Sequence, residues 1–249
     1  MSENLRTAAT LVLVRPRAPS GIDVLMVERP SRGAFGGLHV FPGGKVDGGD
    51  ALDEARSRGR SDRDASRILG VARGGLAFWI AAIRESFEEA GVLFGYVSGH
   101  LVDLGDRPTR SRFEAHRRAL IDGSLTLEVL CELERVTLAT DRIHYFSHWI
   151  TPIGAPARFD TRFFLAVMPP EQSVTLHANE LERAEWIAPA DALGRHRAGG
   201  FPMIHPTLTT LETLARYRDV DRLVEDVSAW RHLPDVTDEK VRQGMQRSR

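Results

Sequence analysis

Cysteine is almost absent from this chain of 249 residues, with Cys131 as its one example. An intrachain disulfide and a cysteine metal cluster are therefore excluded, and a cytoplasmic location is expected. No run of apolar residues approaches the roughly 20 that span a bilayer, and the first residues lack the apolar core of a signal peptide. We therefore expect a protein that does not associate with membranes.

Lysine is also scarce, because Lys45 and Lys240 are the only two and arginine supplies the rest of the basic charge. The formal net charge of -1 argues against bulk binding to nucleic acid. A composition of 42% hydrophobic and 27% charged residues is that of an ordinary globular protein. These features favour a small-molecule partner and give no support to nucleic acid or a membrane surface.

Strand and helix patterns alternate along the chain and predict an α/β fold with a mixed sheet. β-Branched and aromatic runs predict strands, and longer runs with helical periodicity predict helices. The strands are expected at 7–14, 23–28, 38–41, 144–150, 162–167 and 181–187. The helices are expected at 65–71, 76–90, 111–121, 125–138, 189–195 and 207–230, and the charged residues 236–249 are expected to fray.

Three glutamates near the end of one predicted helix mark the candidate site. Glu85, Glu88 and Glu89 stand at positions i, i+3 and i+4 of the helix at 76–90, so they share one face. Such close carboxylates repel one another unless a cation joins them, and their hard oxygen atoms suit Mg²⁺ or Mn²⁺. The alternative is a solvated acidic face. The opposite face is expected to enter the core through an apolar stripe of Leu76, Ile80, Ile83, Phe87 and Ala90.

A glycine-rich turn upstream adds a second half to this motif. Residues 42–44 read Pro-Gly-Gly, which lets main-chain oxygen approach a cation or a phosphate, although a plain turn is the alternative. Together with residues 84–92, Arg-Glu-Ser-Phe-Glu-Glu-Ala-Gly-Val, this turn resembles the two halves of the Nudix box. Five residues separate Gly44 from Asp50, as in that box, but residues 51–83 take the place of the usual seven before Arg84.

The resemblance implies a Nudix-type α/β/α sandwich with a mixed β-sheet plus helical decorations. We expect a single Nudix domain over residues 1–249, with a core at about 7–200, a surface insertion at about 51–75 and a C-terminal helical extension at about 205–235. The interrupted box, with the segments at 25–29, 148–152, 158–164 and 205–207, is similar to the (acyl-)coenzyme A diphosphatases of that family. A homodimer is also compatible with the resemblance.

The resemblance further implies metal-dependent hydrolysis of a nucleoside diphosphate linked to another group. The implied metal ligands for Mg²⁺ or Mn²⁺ are Glu85, Glu88, Glu89 and the carbonyl of Gly44. Arg84 joins these glutamates in the catalytic set, where we expect it to orient one of them by a fork-like ion pair. Asp50 is expected to support the loop or to bind the metal through water. The candidate substrate-binding residues are Arg29, Phe41, Gly43 and Gly44.

Two questions remain open from the sequence. The general base is expected outside the box, and Glu180, Glu182 and Glu185 are the candidates. The preferred substrate is coenzyme A or an acyl derivative, although the second arginine of the coenzyme A signature is displaced here to Arg32, and ADP-ribose or another nucleotide conjugate is the alternative. A Nudix module that binds a nucleotide without hydrolysing it is a third hypothesis, which the complete set of glutamates disfavours.

Overall fold

The sheet is organised around its longest strand, β1 (Leu5–Pro16). The computed structural model describes residues 5–30, 36–155, 157–175 and 183–229. Side chains of β1 alternate between the two faces of the sheet, so Leu11 and Leu13 enter one hydrophobic cluster while Val12 and Val14 enter another. A strand buried on both faces requires a helical layer on each side of the sheet.

The sheet is mixed because β1 has partners of both directions. It pairs in parallel with β9 (Arg158–Val167) and antiparallel with β2 (Ile22–Glu28) and β4 (Gly43–Lys45). The other strands of the described ranges are β3 (His39–Val40), β5 (Gly95–Val97), β6 (His100–Leu101), β7 (Thr137–Leu138), β8 (His144–Ile150) and β10 (Arg183–Ile187). The main path of the sheet runs β10-β2-β1-β9-β8, with β3 paired to β2 and β4 to β1.

Helices cover both faces of this sheet and complete an α/β/α sandwich, which confirms the predicted fold class. On one face the cluster contains residues of α1 (Asp62–Leu69), α2 (Leu76–Ala90), α3 (Arg107–Ile121) and α4 (Leu127–Glu134). On the other face it contains residues of α5 (Pro189–Arg197), α6 (His205–Leu214) and α7 (Val220–Ser228). No helix within the described ranges is long and apolar enough to cross a membrane.

The segment at 51–75 is mostly exposed or partly buried, and it contacts the core through one side of α1. Ala65 and Leu69 of α1 are buried in the same cluster as α2. The carboxylate of Asp62 accepts hydrogen bonds from the backbone N–H groups of Gly74 and Leu76, each at 2.9 Å. It thereby satisfies N–H groups at the start of α2 that have no partner within the helix. The insertion therefore anchors the beginning of the helix that carries the glutamates.

The helix predicted at 125–138 is wrong at its C-terminal end. Arg135 adopts a left-handed backbone conformation with a φ of 53° and ends α4. The chain then enters β7, which pairs with β5 in a small second sheet that the sequence did not predict. The expectation for residues 236–249 concerns a segment that lies outside the described residues.

Candidate active site

Helix α2 spans Leu76–Ala90 as predicted, and Gly91 ends it in the left-handed conformation with a φ of 72°. The expected single apolar stripe is too narrow, because Phe78, Trp79, Ala81 and Ala82 are buried as well. The first two turns lie inside the protein. Only the last turns of the helix bring polar side chains to the edge of the core.

The structure places the glycine turn against the glutamates, as the two-part motif predicts. Gly44 lies in β4 and pairs with Ala9 of the central strand. A Cβ atom added to Gly44 would lie 2.3 Å from Oε1 of Glu85. Gly44 and Glu85 are thus in van der Waals contact, although residues 51–83 separate the two segments in sequence. Any side chain at position 44 would displace the Glu85 carboxylate.

We expect Gly44→Ala to lower kcat by roughly 10- to 100-fold through displacement of Glu85, because small misplacements of reacting groups are costly. The thermal midpoint should stay near that of the wild type, since the backbone at Gly44 lies outside the left-handed region. Gly48→Ala is the matched control, because nothing lies within 4 Å of a Cβ atom added there. Steady-state kinetics and thermal denaturation check this; equal activity of the two variants would contradict it.

Arg84 donates hydrogen bonds to acceptors in both halves of the motif. Its Nε and Nη2 atoms donate to the two oxygen atoms of Asp50 at 2.8 and 3.0 Å. Its Nη1 atom donates to Oε1 of Glu85 at 2.9 Å and to Oε2 of Glu88 at 2.8 Å. Nη2 also donates to the carbonyl oxygen of Lys45 at 2.8 Å, in the glycine turn. Arg84 therefore forms ion pairs with Glu85 and Glu88 through one nitrogen atom, while its two-atom fork binds Asp50. The same guanidinium joins the two halves of the motif, and its role in orienting a glutamate stays a prediction.

Asp50 supports the loop, as one of its two expected roles requires. Its carboxylate is completely buried and accepts the N–H group of Asp47 at 2.9 Å, while Asp47 caps the same turn through the N–H group of Gly49. Burial raises the pKa of Asp50, and its hydrogen bonds with Arg84 oppose that rise. Asp50 therefore depends on Arg84 for its charge balance.

Glu89 and Arg29 hold the other glycine of the turn from two sides. Oε2 of Glu89 accepts the N–H group of Gly43 at 2.8 Å, and Nη2 of Arg29 donates to the carbonyl oxygen of Gly43 at 2.9 Å. The same Nη2 atom lies 3.6 Å from Oε1 of Glu89. The side chain of Arg29 remains 35% exposed, so it borders solvent as well as the glutamate.

Negative charge exceeds positive charge among these side chains. Burial raises the pKa of Glu85 to about 8; Arg84 opposes the rise, and Glu89 and Glu88 add to it. A further cation would stabilise the ionised carboxylate of Glu85 and would take the place of its proton.

The donor chemistry at this end of α2 fits a hard divalent cation. Gly44 leaves room for main-chain and carboxylate oxygen where a Cβ atom would collide. Among the described residues, no three His, Cys, Asp or Glu side chains converge closely enough to hold a metal ion in their present orientations. The Arg84 guanidinium instead lies between Glu85 and Glu88, so a bound cation would require these side chains to turn within the site.

Phe41 is not available to a substrate, which corrects its assignment as a substrate-binding residue. Its side chain is only 2% exposed and lies in the cluster on the opposite face of the sheet from α2. Its ring meets that of Phe163 edge to face, with 6.3 Å between centroids. An aromatic residue beside a glycine turn is here a core residue.

The candidates for a general base fall in two groups. Glu180 and Glu182 lie outside the described residues. Glu185 lies on β10, where both of its carboxylate oxygens accept from Nη1 of Arg195 at 2.8 Å. Arg195 lies on the helix that follows, and the choice among the three candidates stays a prediction.

Sequence reasoning missed Arg117 of α3. Its buried guanidinium donates to the carbonyl oxygens of Glu88 and Glu89. Arg117 is one of several arginines in α3, so no local sequence pattern distinguishes it from the others. The only sequence signal is indirect, in that the last turn of α2 has no basic residue of its own.

Comparison with known proteins identifies the family of this chain. A family model described as the NUDT19 Nudix domain matches residues 60–214, which is more than half of the chain. The chain belongs to this Nudix family. The match begins after the glycine turn, so it is the tertiary structure that brings Gly44 to the matched glutamates.

Curated relatives are identical to this Nudix chain at about a quarter of the aligned positions. Acyl-coenzyme A diphosphatase NUDT19 of Gallus gallus is 27% identical over 268 residues, with 86% of this chain and 69% of the relative covered. The Homo sapiens protein of the same name is 28% identical over 214 residues, with 72% of this chain and 56% of the relative covered. The chain spans between 56% and 69% of the length of four such relatives.

A solved structure supports the Nudix fold over nearly the whole chain. The crystal structure of a NUDIX hydrolase from Alicyclobacillus acidocaldarius is 28% identical in sequence, with a TM-score of 0.76. The alignment covers 92% of this chain and 99% of that chain. The helical layers on both faces of the sheet thus have counterparts in another member of the superfamily.

Proposed function

We propose that this Nudix protein hydrolyses the diphosphate of a nucleoside diphosphate linked to another group, with Mg²⁺ or Mn²⁺ as its cofactor. The contact between Gly44 and Glu85 carries the proposal, because it joins both halves of the motif into one oxygen-rich site. Family membership supports the same chemistry.

The roles of the residues follow from their positions. Glu85, Glu88, Glu89 and the carbonyl of Gly44 would hold the cation. A bound cation of this kind offsets the negative charge of a diphosphate and lowers the pKa of water. Arg84 orients the carboxylates of Glu85 and Glu88, and Glu89 fixes the glycine turn through the N–H group of Gly43. These hydrogen bonds keep Glu85 and Glu88 beside the glycine turn, and both side chains would turn toward a bound cation.

The preferred substrate is coenzyme A or an acyl-coenzyme A. The names of the chicken and human relatives support this choice, as does the interrupted box. Arg29 is the described residue that we assign to the substrate phosphates, since its partly exposed guanidinium lies beside Gly43 and Glu89. Glu180, Glu182 and Glu185 remain the candidates for a base that receives the proton of the attacking water.

ADP-ribose or another nucleotide conjugate is the second substrate hypothesis, because the same site would act on any of these diphosphates. A binding module without hydrolysis is disfavoured by the complete and interconnected set of acids at the site. The net charge of -1 also favours a small molecule over nucleic acid as the partner.

A substrate panel tests the proposal. The purified protein would be incubated with coenzyme A, acyl-coenzyme A, ADP-ribose, a diadenosine polyphosphate and NADH, each with Mg²⁺, Mn²⁺ or a chelator. We expect product that depends on the metal, and a higher kcat/KM for the coenzyme A substrates than for ADP-ribose. If no compound gives metal-dependent product, the proposed enzymatic activity is rejected. If kcat/KM for coenzyme A is lower than kcat/KM for ADP-ribose, ADP-ribose becomes the preferred substrate.

A further inference from the structure

The C-terminal end of α2 has an unusual set of partners. The last four carbonyl groups of a helix have no N–H donor within it, so they need partners from elsewhere. In α2 the residues concerned include two of the proposed metal ligands. Every one of the four carbonyls has a donor at hydrogen-bonding distance: Gly91 N to Phe87 O at 3.0 Å, Arg117 Nη2 to Glu88 O at 2.8 Å, Arg117 Nη2 to Glu89 O at 3.0 Å, and Thr175 N to Ala90 O at 2.9 Å.

Arg117 is the donor that comes from a side chain. Its Nε atom also donates to the carbonyl oxygen of Glu88 at 2.9 Å, and its Nη1 atom donates to Oγ1 of Thr175 at 3.0 Å. The residue is only 6% exposed. A planar guanidinium that donates to three acceptors on two segments restricts both translation and rotation of the helix end.

The charge of Arg117 also suits this position. Helix C-termini carry partial negative charge, which makes the carboxylates of Glu88 and Glu89 unfavourable there. A basic residue in the last turn usually compensates, but α2 has none. Arg117 supplies the cation from α3, directly at the carbonyls of the same two glutamates.

Thr175 and Arg117 pack closely against Gly91 at the end of α2. A Cβ atom on Gly91 would lie 2.3 Å from Oγ1 of Thr175 and 3.1 Å from Nη1 of Arg117. Glycine at this position therefore does more than end the helix, because its missing side chain lets Thr175 and Arg117 approach the last turn.

We propose that Arg117 is a positioning residue for Glu88 and Glu89, acting through their carbonyl groups and through the anchorage of Thr175 to the end of α2. The inference rests on the proposed function. The hydrogen bonds of Arg117 described above go to main-chain carbonyls and to Thr175, and this assignment places no substrate contact on Arg117. Its loss should let the last turn of α2 shift, which affects the reaction step more than substrate capture.

Kinetics of Arg117→Met test the proposal against the matched variant Arg118→Met, whose arginine is the next residue of α3 and is exposed. With the best substrate of the panel, we expect Arg117→Met to lower kcat by about 10- to 100-fold while KM changes by less than about threefold. Arg118→Met should match the wild type. Arg117→Lys keeps the charge and part of the hydrogen bonding, so it should recover part of kcat and serves if the methionine variant does not fold.

Chemical rescue separates positioning from a general loss of stability. In Arg117→Ala, guanidinium ion at concentrations well below denaturing levels should restore part of kcat by occupying the vacated space beside Phe113 and Thr175. Ammonium at the same concentration should not, because it lacks the planar fork. Equal kcat in Arg117→Met and Arg118→Met, or a change confined to KM, would overturn the inference.

Hydrogen–deuterium exchange decides the inference independently of catalysis. We expect faster exchange in Arg117→Met across 88–92 and 171–175, with unchanged exchange in the central strand β1. Unchanged exchange at the end of α2 would reject the positioning role even in an active enzyme. If the wild type hydrolyses nothing on the panel, the proposed function fails, while the exchange result still shows whether Arg117 holds these segments.

Discussion

Glu89→Gln is expected to lower kcat by roughly 10²- to 10³-fold with the fold intact, since a metal ligand contributes several kcal/mol and each 1.36 kcal/mol is tenfold in rate. Glutamine has the shape of glutamate, and its amide oxygen can still accept the N–H group of Gly43 that Glu89 now accepts at 2.8 Å. The substitution therefore removes the charge of one ligand while it keeps the glycine turn in place. Metal titrations of the hydrolysis rate measure the effect.

The matched control is Glu212→Gln, which makes the same change at an exposed position of α6. It should leave kcat, KM and the metal requirement unchanged. Hydrolysis by Glu89→Gln at the rate of Glu212→Gln, with the same response to Mg²⁺ or Mn²⁺, would exclude Glu89 from the metal site.

Arg84→Met is expected to destabilise the fold by about 3–5 kcal/mol, because it leaves the buried carboxylate of Asp50 without its counter-ion. For a chain of this size the thermal midpoint should fall by roughly 10 °C. The side chain of Arg84 is 11% exposed and that of Asp50 is fully buried, so solvent cannot take over the lost contacts. Hydrolysis should be lost too, since Glu85 and Glu88 lose their shared partner.

The loss of stability in Arg84→Met should depend on pH. Burial raises the pKa of Asp50 above its ordinary value, so the folded protein holds this proton more tightly than the unfolded chain does. For such a group, stability is lost as pH rises through the folded pKa and is regained as pH falls. Without Arg84, which opposes this rise, the pKa of Asp50 should rise further in Arg84→Met. The difference in the free energy of unfolding between Arg84→Met and the wild type should therefore shrink as the pH falls toward the ordinary pKa of an aspartate, about 4.

Two further variants distinguish this cause from a general effect of arginine removal. Arg84→Met combined with Asp50→Asn should recover part of the lost stability, because no buried carboxylate then lacks a counter-ion. Arg118→Met removes an exposed arginine and should change the midpoint little. An Arg84→Met midpoint equal to that of Arg118→Met, measured by thermal denaturation, would show that Asp50 does not need Arg84.

The sequence predicted the helix that carries the glutamates to its terminal residues. Its apolar periodicity and the glycine at its end are local properties, and both act within a few residues. The same holds for β8, which the aromatic and β-branched run at 144–150 predicts with its observed bounds. Predictions failed where a distant partner decided the outcome. Phe41 is buried beside Phe163, which belongs to the distant strand β9.

From its residues alone the chain determined the α/β class, the three glutamates on one helical face and the division of the site into two segments. These properties depend on residue type and on short spacings, which are fixed before folding. The two-part motif also predicted that Gly44 lies against Glu85. Only the tertiary structure decided that Arg84 joins both segments and that Arg117 of a separate helix binds the last turn of α2. Those contacts join residues that are tens of positions apart, and long-range packing of helices on the sheet alone brings them together.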